Sequence, residues 1–491
     1  MALRRPPQGT ALLPGGHAAE KPVSAACKRS ARALWNRPFR TADRGTRTDP
    51  PPLARPARGP GRRCGPRPAR PSELRAPSEG KTRPMADKAQ AQRTAEHEPK
   101  FSYPIHRTSP NEPPCEYARL RDEQPVCPIS LPTGHPAYLV TRYEDVKTVL
   151  SDSRFSREAL FREGAPRAQL VEPDSSSLIS MDPPRHSALR NLTNREFSPR
   201  RAEAMRPRIQ EIVDRLLDTM AGMTAPVDLN ATLARPMALE VICELLGVPY
   251  EDQHLFGAWC DHFMSLTKYS AEEIVRSNTE MRTYIADLAE RKLEDPGGDL
   301  LSKLAHSMAE EQTITHEELV STGVMFLLAG HDTTVTVTGG GAVLLLRNPD
   351  QLALVREDPA LMDAAVEEII RLVTPGDGTF IRITLEEVEL SGTAIPPNSA
   401  VIAPISSANR DARVFENPDA LDVHRTDNKH IGFAHGTHFC AGSALARAEV
   451  QIAMKSLFSR FPTLRLAVDP EELRWRQTAA LGGYEEIPVT W

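Results

Sequence analysis

The chain has 491 residues, of which 40% are apolar and 25% charged, and its formal net charge is −5. That average joins two unlike pieces: residues 1–84 hold 19 Lys and Arg against 5 Asp and Glu, which leaves 41 basic and 60 acidic groups, a net of −19, on the other 407. A uniform globular chain is excluded, and so is a basic nucleic-acid-binding body.

Residues 1–84 also hold 15 of the 44 prolines, with no Ile and no Tyr. Runs such as Pro50-Pro51-Pro52 and Gly59-Pro60-Gly61-Arg62-Arg63 bury too little apolar surface to offset chain entropy, so disorder is predicted. An Arg-rich, acid-poor leader fits a mitochondrial transit peptide, but the prolines oppose the amphipathic helix such a peptide needs. Arg4-Arg5 lacks the apolar region of a twin-Arg export signal. The favoured reading is mundane. Ala, Arg, Gly and Pro are residues of GC-rich codons, and Met85-Ala86-Asp87-Lys88 opens more ordinary sequence. Residues 1–84 are then an upstream read-through ahead of a start at Met85, and 85–491 form one domain.

In chain order, Val126–Leu131 and Ala137–Thr141 read as strands around the hairpin signal Pro132-Thr133-Gly134-His135. A helix is predicted over Tyr143–Leu150. Asp182-Pro183-Pro184 has the N-cap and N1 pattern of a helix running to Asn194. Pro207–Met220 places Ile209, Ile212, Val213, Leu216 and Leu217 on one face. Further helices are expected at Met237–Leu246, Glu272–Leu293, Asp299–Ala309, Thr315–Leu346 and Leu361–Leu372. Short strands follow between Ile381 and Ile405, turned by Pro396-Pro397-Asn398, and Ser443–Phe461 closes as an amphipathic helix. The fold class is mainly α with small β-sheets, without internal repeats.

The seven cysteines (27, 64, 115, 127, 243, 260 and 440) form no CxxC pair. An odd, sparse set points to a reducing compartment, hence a cytoplasmic location. The most membrane-like segment, Leu319–Leu346, carries His331 and Asp332 at its middle. A charge there is costly in lipid, so a long buried helix of a soluble protein is predicted instead.

Phe433-Ala434-His435-Gly436-Thr437-His438-Phe439-Cys440-Ala441-Gly442 precedes the final helix. A helix N-terminus lowers the pKa of a nearby thiol, and glycines at 436 and 442 let backbone approach something flat and bulky. Those features suit a thiolate offered to a metal cofactor. A buried free cysteine in a Gly-rich turn and a zinc site on His435, His438 and Cys440 are the alternatives. The zinc reading lacks a fourth ligand at ordinary spacing.

The pattern Phe-x-x-Gly-x-His-x-Cys-x-Gly at Phe433–Gly442 resembles the haem-binding loop of the cytochrome P-450 superfamily. The resemblance spans about Pro104 to Trp491 and implies that fold. It implies haem b as cofactor, with Cys440 as axial thiolate ligand of the iron, a ligand that favours O–O cleavage. Glu368-Ile369-Ile370-Arg371 matches the family's Glu-x-x-Arg motif, and Arg425 stands where a later arginine completes it. These three are implied to be structural, holding the cysteine loop in place.

Ala329-Gly330-His331-Asp332-Thr333-Thr334 matches the family's Ala-Gly-x-Asp/Glu-Thr-Thr motif. The resemblance implies that Gly330 leaves room for oxygen, and that Asp332 and Thr333 are catalytic, relaying protons. Mid-helix acids and hydroxyls break propensity, a frequent mark of function. Gly339-Gly340-Gly341 downstream costs about 3 kcal/mol of helix propensity and marks either a kink or tight packing. His186, Arg190, Arg382 and His438 match the family's partners for the two haem propionates. Ala329, Gly330, Phe433 and Gly442 complete the implied cofactor site.

No flavin or iron–sulfur motif is present, so electrons must come from other proteins, a ferredoxin and its reductase by the resemblance. Seven arginines between Arg185 and Arg208, against Glu196 and Glu203, form a stretch suited to an acidic ferredoxin. The implied pocket walls are Leu160–Ser177, Phe256–Tyr269, Phe326–Thr334, Val373–Ile381 and the turn near Leu481. Asp377, in Gly376-Asp377-Gly378, is expected to face either water or a polar group on the substrate. The expected enzyme is a monomeric monooxygenase that inserts one atom of O2 into an apolar organic substrate, by hydroxylation or epoxidation, in natural-product biosynthesis. It needs neither membrane nor nucleic acid. Alternatives are a peroxygenase or oxidative cyclase, and a non-catalytic haem sensor.

Overall fold

The computed structural model describes residues 101–166, 174–263, 268–377, 381–476 and 481–491. The leader 1–84, the start at Met85, Gly378 and parts of four predicted pocket walls lie outside the described residues.

After strand β1 (Phe101–Ser102) and helix α1 (Glu116–Glu123), the predicted hairpin forms. Strands β2 (Val126–Ser130) and β3 (Pro136–Val140) pair antiparallel, with Val126 opposite Val140. Helix α2 (Tyr143–Ser151) and β4 (Phe155–Ser156) follow. Helix α3 (Arg185–Thr193) has Pro184 at its N-cap and no side-chain cap. The cap expected from Asp182 is therefore corrected: its carboxylate instead accepts from Ser156 Oγ and the backbone N–H groups of Arg157 and Glu158. Helix α4 (Pro199–Ala221) begins eight residues before the expected Pro207. Ser198 caps it by accepting from Arg201 N–H, with Pro199 at N1.

Strand β5 (Val227–Asp228) and helices α5 (Arg235–Leu246), α6 (Gln253–Phe263) and α7 (Ala271–Glu294) come next. Asp299 caps α8 (Leu300–His306). Thr315 and Glu318 form a reciprocal capping box at the head of α9 (His316–Arg347). Helices α10 (Pro349–Glu357) and α11 (Met362–Leu372) lead into strands β6 (Ile381–Thr384), β7 (Val388–Leu390), β8 (Thr393–Ile395) and β9 (Ala400–Ile402). One-turn helix α12 (Ile405–Ala408), helix α13 (Ser443–Arg460) and strands β10 (Arg465–Leu466) and β11 (Pro488–Thr490) complete the chain.

The expectation of helices with small sheets holds. The largest sheet has the order β1-β2-β3-β9-β6-β4, and two smaller ones are β10-β11-β5 and β7-β8. The main core joins α4, α5, α7, α9, α11 and α13. Helix α9 runs through it, packed on α5, α7, α11 and α13. The glycine run of α9 is tight packing rather than a break, since the helix is continuous across it. A Cβ at Gly339 would lie 2.4 Å from Asn230 Oδ1, one at Gly340 2.6 Å from Val373 Cγ1, and one at Gly341 2.7 Å from Ile369 Cγ2. Helix α13 is not simply amphipathic, because Leu445, Glu449, Ile452, Ala453 and Phe458 are all buried around it. Among the described residues no helix is long and apolar enough to cross a membrane.

Candidate functional site

The cysteine loop is held in shape by its own backbone. Cys440 N–H donates to Phe433 O at 2.9 Å, and Phe439 N–H to Gly436 O at 3.0 Å. Gly436 has φ +72°, and a Cβ there would lie 2.6 Å from Leu150 O, so this glycine serves a contact with the end of α2. That corrects half of the sequence reading: only Gly442, whose Cβ would meet nothing within 4 Å, leaves open space. The pKa argument is corrected too. Burial pushes the Cys440 thiol up, against the lowering from Gly442 N–H, Arg190 and Arg447. The helix end alone does not hold a thiolate here.

Two sets of ion pairs brace the loop. Glu368 and Arg371 are fully buried, with Arg371 Nε 2.6 Å from Glu368 Oε2 and Arg425 Nε 2.9 Å from Oε1. Arg371 also donates to Asn409 O and Ala420 O, fixing the chain before the loop. Burial raises the pKa of Glu368, but Arg371 and Arg425 outweigh it and hold the carboxyl below its usual value. The second brace is absent from the sequence reading. Glu367 accepts from His430 Nε2 at 2.9 Å and Arg447 Nε at 2.6 Å. Arg447 lies 4.5 Å over the Phe433 ring.

The predicted cations converge. The His186 and His438 ring centroids are 4.3 Å apart. Neither ring nitrogen of His186, nor His438 Nε2, has a hydrogen-bond partner among the described residues, although all are buried. Arg190 donates to Phe439 O at 2.8 Å. Arg382, 4% exposed, has no ion pair among the described residues, and burial together with Arg157 depresses its pKa far below normal. Burial, then Arg382, His186, Arg157 and Arg190, push His438 down to about 2. Arg157, unmentioned in the sequence reading, belongs to this group. Its only sequence signal is an arginine after the apolar strand residue Phe155. Buried histidine nitrogens without a partner among the described residues, beside buried Arg382 and half-buried Arg190, call for an anion. The nearby Asp182 is already committed to Ser156 and two backbone N–H groups. The residues fit a dianionic group between His186, His438, Arg190 and Arg382, with the open space at Gly442 beside the thiol.

On α9, an open stripe interrupts an otherwise buried helix: Ala329 is exposed, and Met325, Thr333 and Val337 are half-buried at i,i+4 spacing. Thr333 Oγ1 donates to Ala329 O at 2.6 Å, the back-bond of a helical threonine. Gly330 does not open the space expected of it. A Cβ there would strike Ile242 of α5 at 2.7 Å, so this glycine serves helix packing. Asp332 is 2% exposed, and among the described residues it is not bonded to Thr333. Asp377 is also corrected as a substrate contact, since its carboxylate, half-buried, accepts from Ser406 N–H at 3.0 Å and from Ser406 Oγ, capping α12. Among the described residues no group of three or more His, Cys, Asp or Glu could hold a metal ion, so the zinc reading has no support.

Most of the basic stretch is spent within the protein. Arg185 pairs with Glu318, Arg206 with Glu203, and Arg208 with Glu211 and Glu244. Arg195 and Arg200 stay exposed, with no acidic partner among the described residues.

A family model described as cytochrome P-450 matches residues 111–475. The chain is 46% identical over 377 residues to nocardicin C N-oxygenase of Nocardia uniformis subsp. tsuyamanensis, covering 76% of this chain and 94% of that protein. It is 40% identical over 376 residues to mycinamicin IV hydroxylase/epoxidase of Micromonospora griseorubida, with the same coverage of 76% and 94%. Among solved structures it is similar to the LnmA hydroxylase of the leinamycin biosynthetic pathway of Streptomyces atroolivaceus, with TM-score 0.74 and 39% identity over 80% of this chain and 100% of that one.

Proposed function

The chain belongs to the cytochrome P-450 family and is a haem-thiolate monooxygenase; from that premise we propose the roles of its residues, its substrate class and its partners. The observation that carries the proposal is the set of buried His186 and His438 ring nitrogens without a hydrogen-bond partner among the described residues, beside Arg382 and the Cys440 loop. Haem b would be held by the Cys440 thiolate, with His186, Arg190, Arg382 and His438 pairing with its propionates. When bound, it supplies the activation of O2. Glu368, Arg371 and Arg425 hold the loop, and Ala329, Phe433 and Gly442 belong to the surrounding walls.

Thr333 Oγ, on the open stripe of α9, holds a water by hydrogen bonding, and Asp332 connects that hydroxyl to proton supply. Substrates are apolar organic molecules of natural-product type, oxidised by hydroxylation or epoxidation. The two relatives named for nocardicin C and mycinamicin IV support this class. Electrons come from a ferredoxin and its reductase in the cytoplasm. Docking centres on Arg195 and Arg200, the two exposed arginines of the basic stretch that lack an acidic partner among the described residues.

The test is labelled oxygen. With 18O2, NADPH, a ferredoxin and its reductase, product should carry one labelled atom and the other should appear in water. Product formed from peroxide alone at the same rate would contradict this reading.

A further inference from the structure

Asp332 and Arg476 lie 144 residues apart in sequence, yet Arg476 Nη1 sits 3.4 Å from both Oδ1 and Oδ2 of Asp332. The carboxylate is 2% exposed and the guanidinium 13%. At 3.4 Å the contact lies beyond the usual hydrogen-bond range, so charge holds it more than a short bond does. Arg476 is itself anchored. Its Nη2 donates to Gly482 O at 3.1 Å, and its backbone N–H donates to Gly483 O at 2.8 Å. Thr336 Oγ1, one turn after Asp332 on α9, donates to the same Gly482 O at 2.7 Å. A Cβ at Gly483 (φ +141°) would lie 2.8 Å from Thr336 Oγ1 and 2.9 Å from Arg476 Nη2, so the backbone passes as closely as a glycine permits. His331 Nδ1 lies 3.9 Å from Asp332 Oδ1, and the buried Cys260 thiol also feels the carboxylate.

We propose that Arg476 is a positioning residue for Asp332, holding its carboxylate by charge, next to the paired backbone of Trp475-Arg476 and Gly482–Tyr484, in the orientation from which it supplies protons to the Thr333 hydroxyl. The placement of that backbone then sets how often Asp332 reaches the Thr333 hydroxyl. Leu481, adjacent to Gly482, is buried in the same segment and stands at the implied pocket wall. Substrate bound there therefore bears on proton supply through Arg476. This role rests on the monooxygenase reading of the site.

The experiment uses holoenzyme driven by spinach ferredoxin, its reductase and NADPH, with oxygen uptake normalised to carbon-monoxide-binding protein. Arg476→Gln should slow oxygen uptake about fivefold, a size typical of residues sharing one network, and raise its solvent isotope effect. Arg476→Lys should recover most of the rate. Asp332→Asn combined with Arg476→Gln should be no slower than Asp332→Asn alone. In urea unfolding, the double variant should lose less stability than the two single losses combined. If Arg476→Gln fails to fold, Thr336→Val decides, since it removes an anchor of Gly482 and keeps the guanidinium; a slowed uptake with a raised isotope effect is expected. A wild-type rate and isotope effect in the folded variant, or independent effects in the double variant, would overturn the proposal. Absence of the carbon monoxide band from the wild-type protein would instead overturn the monooxygenase reading.

Discussion

His186 and His438 lie ring against ring, 4.3 Å between centroids, with three of their four ring nitrogens buried and unpartnered. Side by side with Arg190 and Arg382, they form a site whose charge is completed from outside the chain. Removing one member should loosen the cofactor more than the fold. Arg382→Ala should speed haem transfer to apomyoglobin by about 10–100-fold, the worth of a charge-assisted hydrogen bond. The urea midpoint of the apoprotein should fall little or rise, because a crowded cation is gone. An unchanged transfer rate would remove Arg382 from the site.

Glu368→Gln tests the brace. Both arginines would then stay buried against a neutral amide. Breaking one side of a buried pair costs about 3–5 kcal/mol. The urea midpoint should drop accordingly, and the yield of haem-loaded protein should fall with it. A midpoint within experimental error of wild type would show that the pair is dispensable.

Acid should weaken the second brace in a defined window. Glu367 is held down to about 2 from 4.5: burial raises it, and His430 and Arg447 more than reverse that. A depressed carboxyl contributes stability above its unfolded pKa and loses it as pH falls through the folded one. The contribution, at most about 3 kcal/mol, is therefore present above about pH 4.5 and fades from there towards pH 2. Glu367→Gln should flatten the stability profile in that range alone. An equally steep profile in the variant would contradict the assignment.

Gly339→Ala should destabilise the protein despite a propensity gain of about 1 kcal/mol. The new Cβ would meet Asn230 Oδ1 at 2.4 Å, and Asn230 is tied to Tyr484 O at 3.0 Å. Overpacking of this kind costs about 1–3 kcal/mol. A raised melting temperature would show that Asn230 gives way freely.

Arg200→Glu should raise the KM for ferredoxin several-fold at low salt and leave kcat near wild type, with the difference shrinking as salt screens the charge. Equal KM values at low salt would place the docking face elsewhere.

The local signals were the readable ones. The hairpin around Gly134 and the one-faced apolar run from Ile209 to Leu217 are encoded within a few residues. The motifs around Cys440, Asp332 and Glu368 are legible because each is short and specific. The rest depends on partners distant in the chain. Arg157 enters the cation cluster only once β4 pairs with β6. The grip of Glu367 on His430 and Arg447 spans 63 and 80 residues. Gly330 and Gly436 looked like cofactor glycines, but their space is taken by Ile242 and by the backbone of α2. Asp182 looked like a helix cap, but the Ser156–Glu158 turn competes for its carboxylate. The start of α4 was missed because the Ser198-Pro199 cap precedes a turn of mostly charged residues with little apolar period.

The central claim is that Cys440 is the thiolate ligand of a haem. The reduced protein exposed to carbon monoxide tests it most directly. Wild type should show the strongly red-shifted Soret band of thiolate ligation, and Cys440→Ser should lose it while keeping its helical circular dichroism. A wild-type band at the position of histidine-ligated haem, or a red-shifted band that survives in Cys440→Ser, would contradict it.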